Sequence, residues 1–180
     1  RMHATDETYF GRIAAVEFTV AAESGRDPQA SPPQGGLGVK MIVDADIVLL
    51  GVSKTLKTPL GLLLASKGYK VVSQTIALDR RLPDPVYEID QRRVFCLTTD
   101  PEALREIRKR FEDVRQQRRS DYGEMDRILA ELLWAESLYQ KNPGWPVIDV
   151  TNKAVEETSA TILKIFFESG LGTERRVAPR

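Results

Sequence analysis

The chain is poor in the residues that build metal centres and disulfides: one cysteine and one histidine in 180 residues. A lone Cys96 excludes an intramolecular disulfide framework and a cysteine-rich zinc site. With His3 as the sole imidazole, a histidine cage within this chain has too few ligands. Cys96 lies in the apolar run "RRVFCLTT", which reads as a strand, so its thiol is expected to be buried and inert. An excess of charge of one sign is lacking too. Lys plus Arg and Asp plus Glu balance at 26 each, which leaves no global electrostatic footprint for nucleic acid or an anionic membrane. No apolar run approaches the roughly 20 residues that span a bilayer. The opening "RMHATDETYF" lacks the basic, apolar, small order of a signal peptide; without an initiator methionine, it reads as the interior of a longer protein.

What is present suits a globular domain with a core of ordinary size, 42% apolar and 29% charged. Residues 3–20 place Tyr9, Phe10, Ile13, Val16, Phe18 and Val20 in a pattern that predicts a helix running into a short extended piece. Residues 23–38, "ESGRDPQASPPQGGLG", predict a flexible surface loop or a hinge. From Met41 the text alternates. Residues 47–50 form a short apolar run before Gly51, a buried strand, and "TPLGLLLASKG" a helix closed by Gly68 in the left-handed C-cap position. "YKVVSQTIAL" and "RRVFCLTT" predict two further strands. Asp100 as N-cap and Pro101 in the first turn open a helix whose apolar stripe is Leu104, Ile107 and Phe111. A second long helix carries Met125, Ile128, Leu129, Leu132, Leu133 and Leu138 at helical spacing. "WPVIDVT" predicts a strand, with Thr151 or Asn152 capping the last helix. Such alternation predicts an α/β fold with a mostly parallel sheet flanked by helices. The division expected is the end of an N-terminal region at 1–22, a Gly/Pro-rich loop or linker at 23–40, a phosphate-loop nucleotide-binding domain at 41–170 and a frayed tail at 171–180.

The chemistry gathers in "GVSKTLKTP", residues 51–59. Against the phosphate-loop template G-x-x-x-x-G-K-[ST], Gly51, Lys57 and Thr58 are in place, and Leu56 stands where the second glycine belongs. Such a loop works because backbone N–H groups at a strand-to-helix turn converge on anionic oxygens, with the helix N-terminus adding partial positive charge. Lys57 would reach the outer phosphates and the Thr58 hydroxyl would hold Mg²⁺. Ser53 and Thr55 add hydroxyl donors, and Lys54 a second cation. On the template alone, a phosphate cradle and a plain strand-turn-helix with solvated lysines stay equally open. Asp149, at the end of the "WPVID" strand, stands where Mg²⁺-holding acids occur in such sheets, although an N-cap or structural acid before the last helix is the commoner use of that position. Asp46, ahead of the loop strand, reads as structural unless that strand bends. The basic run Arg105, Arg108, Lys109, Arg110, Arg115, Arg118 and Arg119 is interspersed with acids and reads as a solvated helix face. A lesser reading is a dock for an acidic or phosphorylated partner. Trp134 and Trp145 read as packing residues.

Several stretches taken together go further. "ADIVLLGVSKTLKTPLGLLLASKGYKV", "LPDPVYEID", "VFCLTTDPEALREIR", "SDY" and "WPVIDVTNKAVEETSATIL" resemble, in that order, the pyruvate, phosphate dikinase regulatory protein family, the bifunctional kinase/pyrophosphorylases of bacteria and plants. The resemblance runs from about His3 to Phe167. In that family the loop reads G-[VI]-S-R-T-x-K-T-P, so Leu56 falls where Ser or Gly is common and Lys54 replaces Arg, losing the planar fork. "AAESG" stands where the family reads close to "HDDG", with Glu23 and Ser24 in place of two acids.

The resemblance implies a P-loop kinase-like fold and a nucleotide-binding segment at Gly51, Val52, Ser53, Lys54, Thr55, Leu56, Lys57 and Thr58. It implies phosphorylation of a dikinase threonine with ADP as donor, which inactivates the dikinase, and removal of that phosphate by inorganic phosphate with release of pyrophosphate. Mg²⁺ is the expected cation, with Thr58 and Asp149 as its protein ligands. Lys57 is assigned to the transferring phosphate, Lys54 to developing charge, and Asp149 or Asp46 to the base. The same chemistry on phosphoenolpyruvate synthase, an ATP-dependent small-molecule kinase and a non-catalytic nucleotide-binding module are the alternatives. A homodimer is expected, working in the cytoplasm of a bacterium or the plastid stroma of a plant or alga, with neither nucleic acid nor membrane as partner.

Overall fold

The computed structural model describes residues 4–24, 37–112 and 121–174. His3, the centre of the Gly/Pro-rich stretch, Arg115, Arg118, Arg119 and the last six residues lie outside them. The chain begins with helix α1 (Ala4–Ser24) and a short α2 (Leu37–Met41). Strand β1 (Ile47–Gly51) then leads into α3 (Lys57–Ser66), and β2 (Val71–Thr75) into α4 (Pro85–Glu88) and a 3₁₀ turn at Gln91–Arg93. Strand β3 (Val94–Thr98) is followed by α5 (Pro101–Glu112) and α6 (Asp121–Lys141), and β4 (Val147–Asp149) by α7 (Val155–Glu168) and α8 (Leu171–Glu174).

The four strands stand in the order β2-β1-β3-β4 and every pair is parallel, with Leu49 opposite Ser73 and Phe95, and Thr98 opposite Asp149. Parallel neighbours require crossover helices, and these cover both faces of the sheet, as a P-loop kinase-like α/β fold demands. Alternate residues therefore serve two cores. Val48, Leu50, Val94 and Cys96 pack with Leu104 of α5 and Ile128 of α6 on one face. Ile47, Leu49, Phe95 and Leu97 pack with Leu60 and Leu64 of α3 and Ile162 and Phe166 of α7 on the other. Burial pushes the Cys96 thiol well above its ordinary range, which keeps it neutral and unreactive. Trp145 is buried and its Nε1–H donates to Gln91 Oε1 at 2.6 Å, whereas Trp134 is partly exposed.

Local signals held where the partners are neighbours in sequence. Gly68 has φ 98° just past α3, its N–H donating to the Ala65 carbonyl. Asp100 Oδ2 accepts from the Ala103 N–H at the start of α5. Three features differ from the sequence reading. The first helix runs on to Ser24 with no extended piece, packing on α3 and β2 and accepting the Val71 N–H on Thr19 Oγ1. The last long helix is capped by neither Thr151 nor Asn152, because the chain turns before it begins and Ala154 takes the N-cap. Leu171 is buried against the α3–α7 face rather than trailing into solvent.

Candidate functional site

Strand order dictates where a ligand can sit. The connection after β1 runs to one side of that strand and β3 lies on the other, so the carboxyl ends of β1 and β3 diverge into a crevice, the usual ligand position in an open parallel sheet. The loop after β1 and the segment after β3 line a groove of about 320 Å³ there, with Thr55 and Leu56 facing Thr99 and Ala103. Lys54, Arg110 and Lys153 bring three cations to its walls.

The loop is tightly wound at its root. A Cβ on Gly51 would stand 2.6 Å from Thr55 Oγ1, so only glycine lets the chain close there. The Val52 carbonyl is turned into the loop, where it accepts from Thr55 Oγ1 at 2.8 Å and from Lys57 Nζ at 2.6 Å. Lys57 is 5% exposed, so its ammonium lies inside the loop rather than in solvent, and Thr55 Oγ1 lies 3.4 Å from it. Above this root the backbone turns left-handed twice, at Lys54 (φ 70°) and Leu56 (φ 62°). Leu56 is the N-cap of α3 and makes no side-chain cap bond. The template's second glycine thus falls on a position that does need the glycine conformation, and leucine adopts it at a cost of about 1 kcal/mol.

Two helices reach the loop from outside. Arg108 of α5 donates from Nη2 to the Ser53 carbonyl at 3.1 Å, and Lys54 Nζ lies 4.1 Å from the centre of the Phe111 ring. From α1, Glu23 Oε2 accepts the Thr58 hydroxyl at 3.1 Å. Sequence reasoning missed both. The charge pattern predicts a solvated face for Arg108, yet its side chain is mostly buried and paired with Glu131 of α6 at 2.6 Å. Glu23 drew notice only as a departure from the family's paired acids, and nothing in spacing joins residue 23 to residue 58.

Neither of the two aspartates expected at the site lines the groove. Asp46 stands ahead of β1, where its Oδ2 accepts the Lys70 N–H at 2.7 Å. β1 pairs with β2 in unbroken register from Ile47 to Gly51, so its length, about 16 Å at strand rise, separates Asp46 from the loop. Asp149 ends β4, two strands from β1 and so about 10 Å away by strand spacing. Its Oδ1 accepts the Thr151 hydroxyl at 2.6 Å and the Thr151 N–H at 2.9 Å. The Thr151 hydroxyl bond, aided by that N–H and by Lys153, holds the Asp149 carboxyl below its usual range against a small effect of burial. Asp149 is a turn-forming acid. The larger cavity, about 530 Å³, lies between α6 and β4 with Leu132, Leu133, Trp145 and Val147 in its walls. It contains no residue of the 51–58 loop, and its apolar walls offer no cation to an anion.

Comparisons with known proteins place the chain in a family. A family model described as kinase/pyrophosphorylase matches residues 1–163. The pyruvate, phosphate dikinase regulatory protein of Zea mays, a chloroplastic protein, is 44% identical over 164 residues, 90% of this chain and 36% of the maize protein. A protein of Clostridioides difficile (strain 630), provisionally given the same regulatory name, is 40% identical over 167 residues, 92% of this chain and 55% of its own length. Another of Geotalea uraniireducens (strain Rf4), named in the same provisional way, is 42% identical over 161 residues, 89% of this chain and 56% of its own length. The chain spans about half the length of these bacterial relatives and about a third of the maize one.

Proposed function

The chain belongs to the kinase/pyrophosphorylase family, and on that premise we propose that it transfers the β-phosphoryl group of ADP to a threonine of pyruvate, phosphate dikinase and removes it by phosphorolysis. The observation that carries this reading is the buried Lys57 ammonium inside a glycine-rooted strand-to-helix turn. In the forward direction the threonine oxygen forms a bond to the β-phosphorus and the bridging bond to the α-phosphate breaks, leaving AMP. In reverse an oxygen of inorganic phosphate attacks the phosphothreonine phosphorus, leaving pyrophosphate and the free hydroxyl. Both directions move one phosphoryl group between two oxygens, so a single anion cradle serves both.

Lys57 supports the transferring group by exchanging the Val52 carbonyl for a phosphoryl oxygen, a short movement inside the loop. The N-terminal turn of α3 adds N–H donors and partial positive charge, and Lys54 faces charge that develops on the groove side. Thr58 and Glu23 supply hard oxygen donors 3.1 Å apart, a set that fits Mg²⁺. Among the described residues no cluster of three His, Cys, Asp or Glu side chains converges. Mg²⁺ here would therefore be shared with the phosphates, as is usual for that ion, and would neutralise charge on their oxygens. Asp149 enters only by fixing Thr151, whose hydroxyl also accepts the Asp100 N–H at 2.8 Å and so ties the ends of β3 and β4 together.

Among the described residues no helix is long and apolar enough to cross a membrane. The compartment follows the source, the chloroplast for a plant protein like the maize relative and the cytoplasm for a bacterial one. The test is a donor comparison on purified dikinase. Phosphothreonine should form with ADP and release AMP, and addition of inorganic phosphate should then release pyrophosphate. Turnover with ATP on a small metabolite, or ADP binding without transfer, would contradict the reading.

A further inference from the structure

Resting on that reading of the loop, we propose that Arg108 is a positioning residue: it holds the Ser53 carbonyl outward and so aims the Lys54 N–H into the anion site. The peptide unit is planar and trans, so the carbonyl of residue 53 and the N–H of residue 54 point in opposite directions. Whatever fixes one fixes the other. Arg108 Nη2 has two hydrogens and directs one to Ser53 O at 3.1 Å and the other to Glu131 Oε2 at 2.6 Å.

The peptide needs such a hold. Lys54 follows it in the left-handed region, where a residue with a side chain persists only if its surroundings impose that conformation. Left-handed residues at 54 and 56 bend consecutive N–H groups toward one side, the concave arrangement that binds anions. The same helix supplies a second tether through the Phe111 ring under Lys54 Nζ. Helix α5 therefore grips both the backbone and the side chain of the loop apex.

Arg108 does this without acting as an anion ligand itself. Its side chain is 15% exposed and that of Glu131 11%, and Glu131 also accepts from Arg127 Nε at 3.1 Å. The carboxylate neutralises the guanidinium and sets its plane, so that its charge is already matched within the fold. Arg110, two residues on, differs: it is exposed and lines the groove.

The test is calorimetric titration of ADP with Mg²⁺ into the wild-type chain, Arg108→Met and Arg108→Lys, with the Lys54 amide followed by NMR. Methionine keeps most of the packing stem and no donor; lysine keeps the charge and loses the fork. Loss of a charge-assisted bond predicts about tenfold weaker ADP binding in Arg108→Met, with cooperative unfolding retained. The Lys54 amide should lose its ADP-induced shift, and Arg108→Lys should recover part of both. If Arg108→Met fails to fold, weakened binding in folded Arg108→Lys carries the same prediction. Wild-type affinity and an unchanged Lys54 response in a folded variant overturn the proposal, because a structural arginine would move stability alone. Failure of the wild-type chain to bind ADP overturns the loop reading, and the clamp with it.

Discussion

Two strand-to-helix turns at the carboxyl edge of the sheet, after β1 and after β4, look alike in sequence and are built in opposite ways. Each has hydroxyls, lysine and a left-handed residue, Lys54 and Leu56 in the first and Asn152 in the second. The turn after β4 satisfies itself. Asp149 supplies the negative charge, and Thr151 spends its N–H and hydroxyl on it. The turn after β1 has no carboxylate of its own. Its charges are the Lys54 and Lys57 ammonium groups; Lys57 donates to the Val52 carbonyl with Thr55 Oγ1 3.4 Å away, and Glu23 arrives from another helix at Thr58. A turn that carries its own anion is satisfied by it, whereas one that gathers cationic and N–H donors is prepared for an anion from outside.

That contrast can be broken first at its charges. Lys57→Ala should lower ADP-dependent phosphorylation of the dikinase by at least about 100-fold while the chain still unfolds cooperatively. Asp149→Asn should stay within about threefold of wild type, because the Asp149 carboxylate does not line the groove and is engaged by Thr151. Comparable losses in the two variants, read in one phosphothreonine assay, would erase the distinction.

The next effect is steric. Gly51→Ala places a Cβ 2.6 Å from Thr55 Oγ1 and should destabilise the fold by about 2 kcal/mol. Urea unfolding measures this, and an unchanged midpoint would mean that the loop root is loose. A smaller gain is expected from Leu56→Gly. Relief of the left-handed leucine should add about 1 kcal/mol of stability. Asn152→Gly should add less, since asparagine tolerates φ 53° better than leucine tolerates 62°.

The smallest effect is a pH dependence confined to the turn after β4. The folded pKa of Asp149 is lowered by Thr151, so its contribution is complete above the ordinary carboxylate range and is lost as pH falls through the lowered value. Asp149→Asn should therefore cost stability at neutral pH and converge with wild type in strong acid. Parallel urea midpoints across that range would show that the carboxylate does not hold the turn.

Legibility in the sequence tracked the range of the interaction. The strand of residues 47–50, the loop behind it, Gly68 and the Asp100 cap depend on partners within a few residues, and each was readable. The inward turn of Arg108 depends on Ser53 and on Glu131, from two other segments, so a charge pattern along one helix could not show it. The hydrogen bond between Thr58 and Glu23 spans 35 residues. The left-handed state of Leu56 was signalled only by the template glycine at that position, because leucine itself gives no sign of a conformation it disfavours. The capping role expected of Thr151 failed because the helix starts three residues later, with Ala154 as N-cap, and the Thr151 hydroxyl is engaged instead with Asp149 and Asp100.

The most direct measurement follows the phosphorus itself. ADP labelled in its β-phosphate, incubated with dikinase and the wild-type chain, Asp149→Asn or Lys57→Ala, should label a dikinase threonine with the first two and not with the third. Equal labelling by Lys57→Ala, or none with the wild-type chain while ATP supports it, would contradict the account.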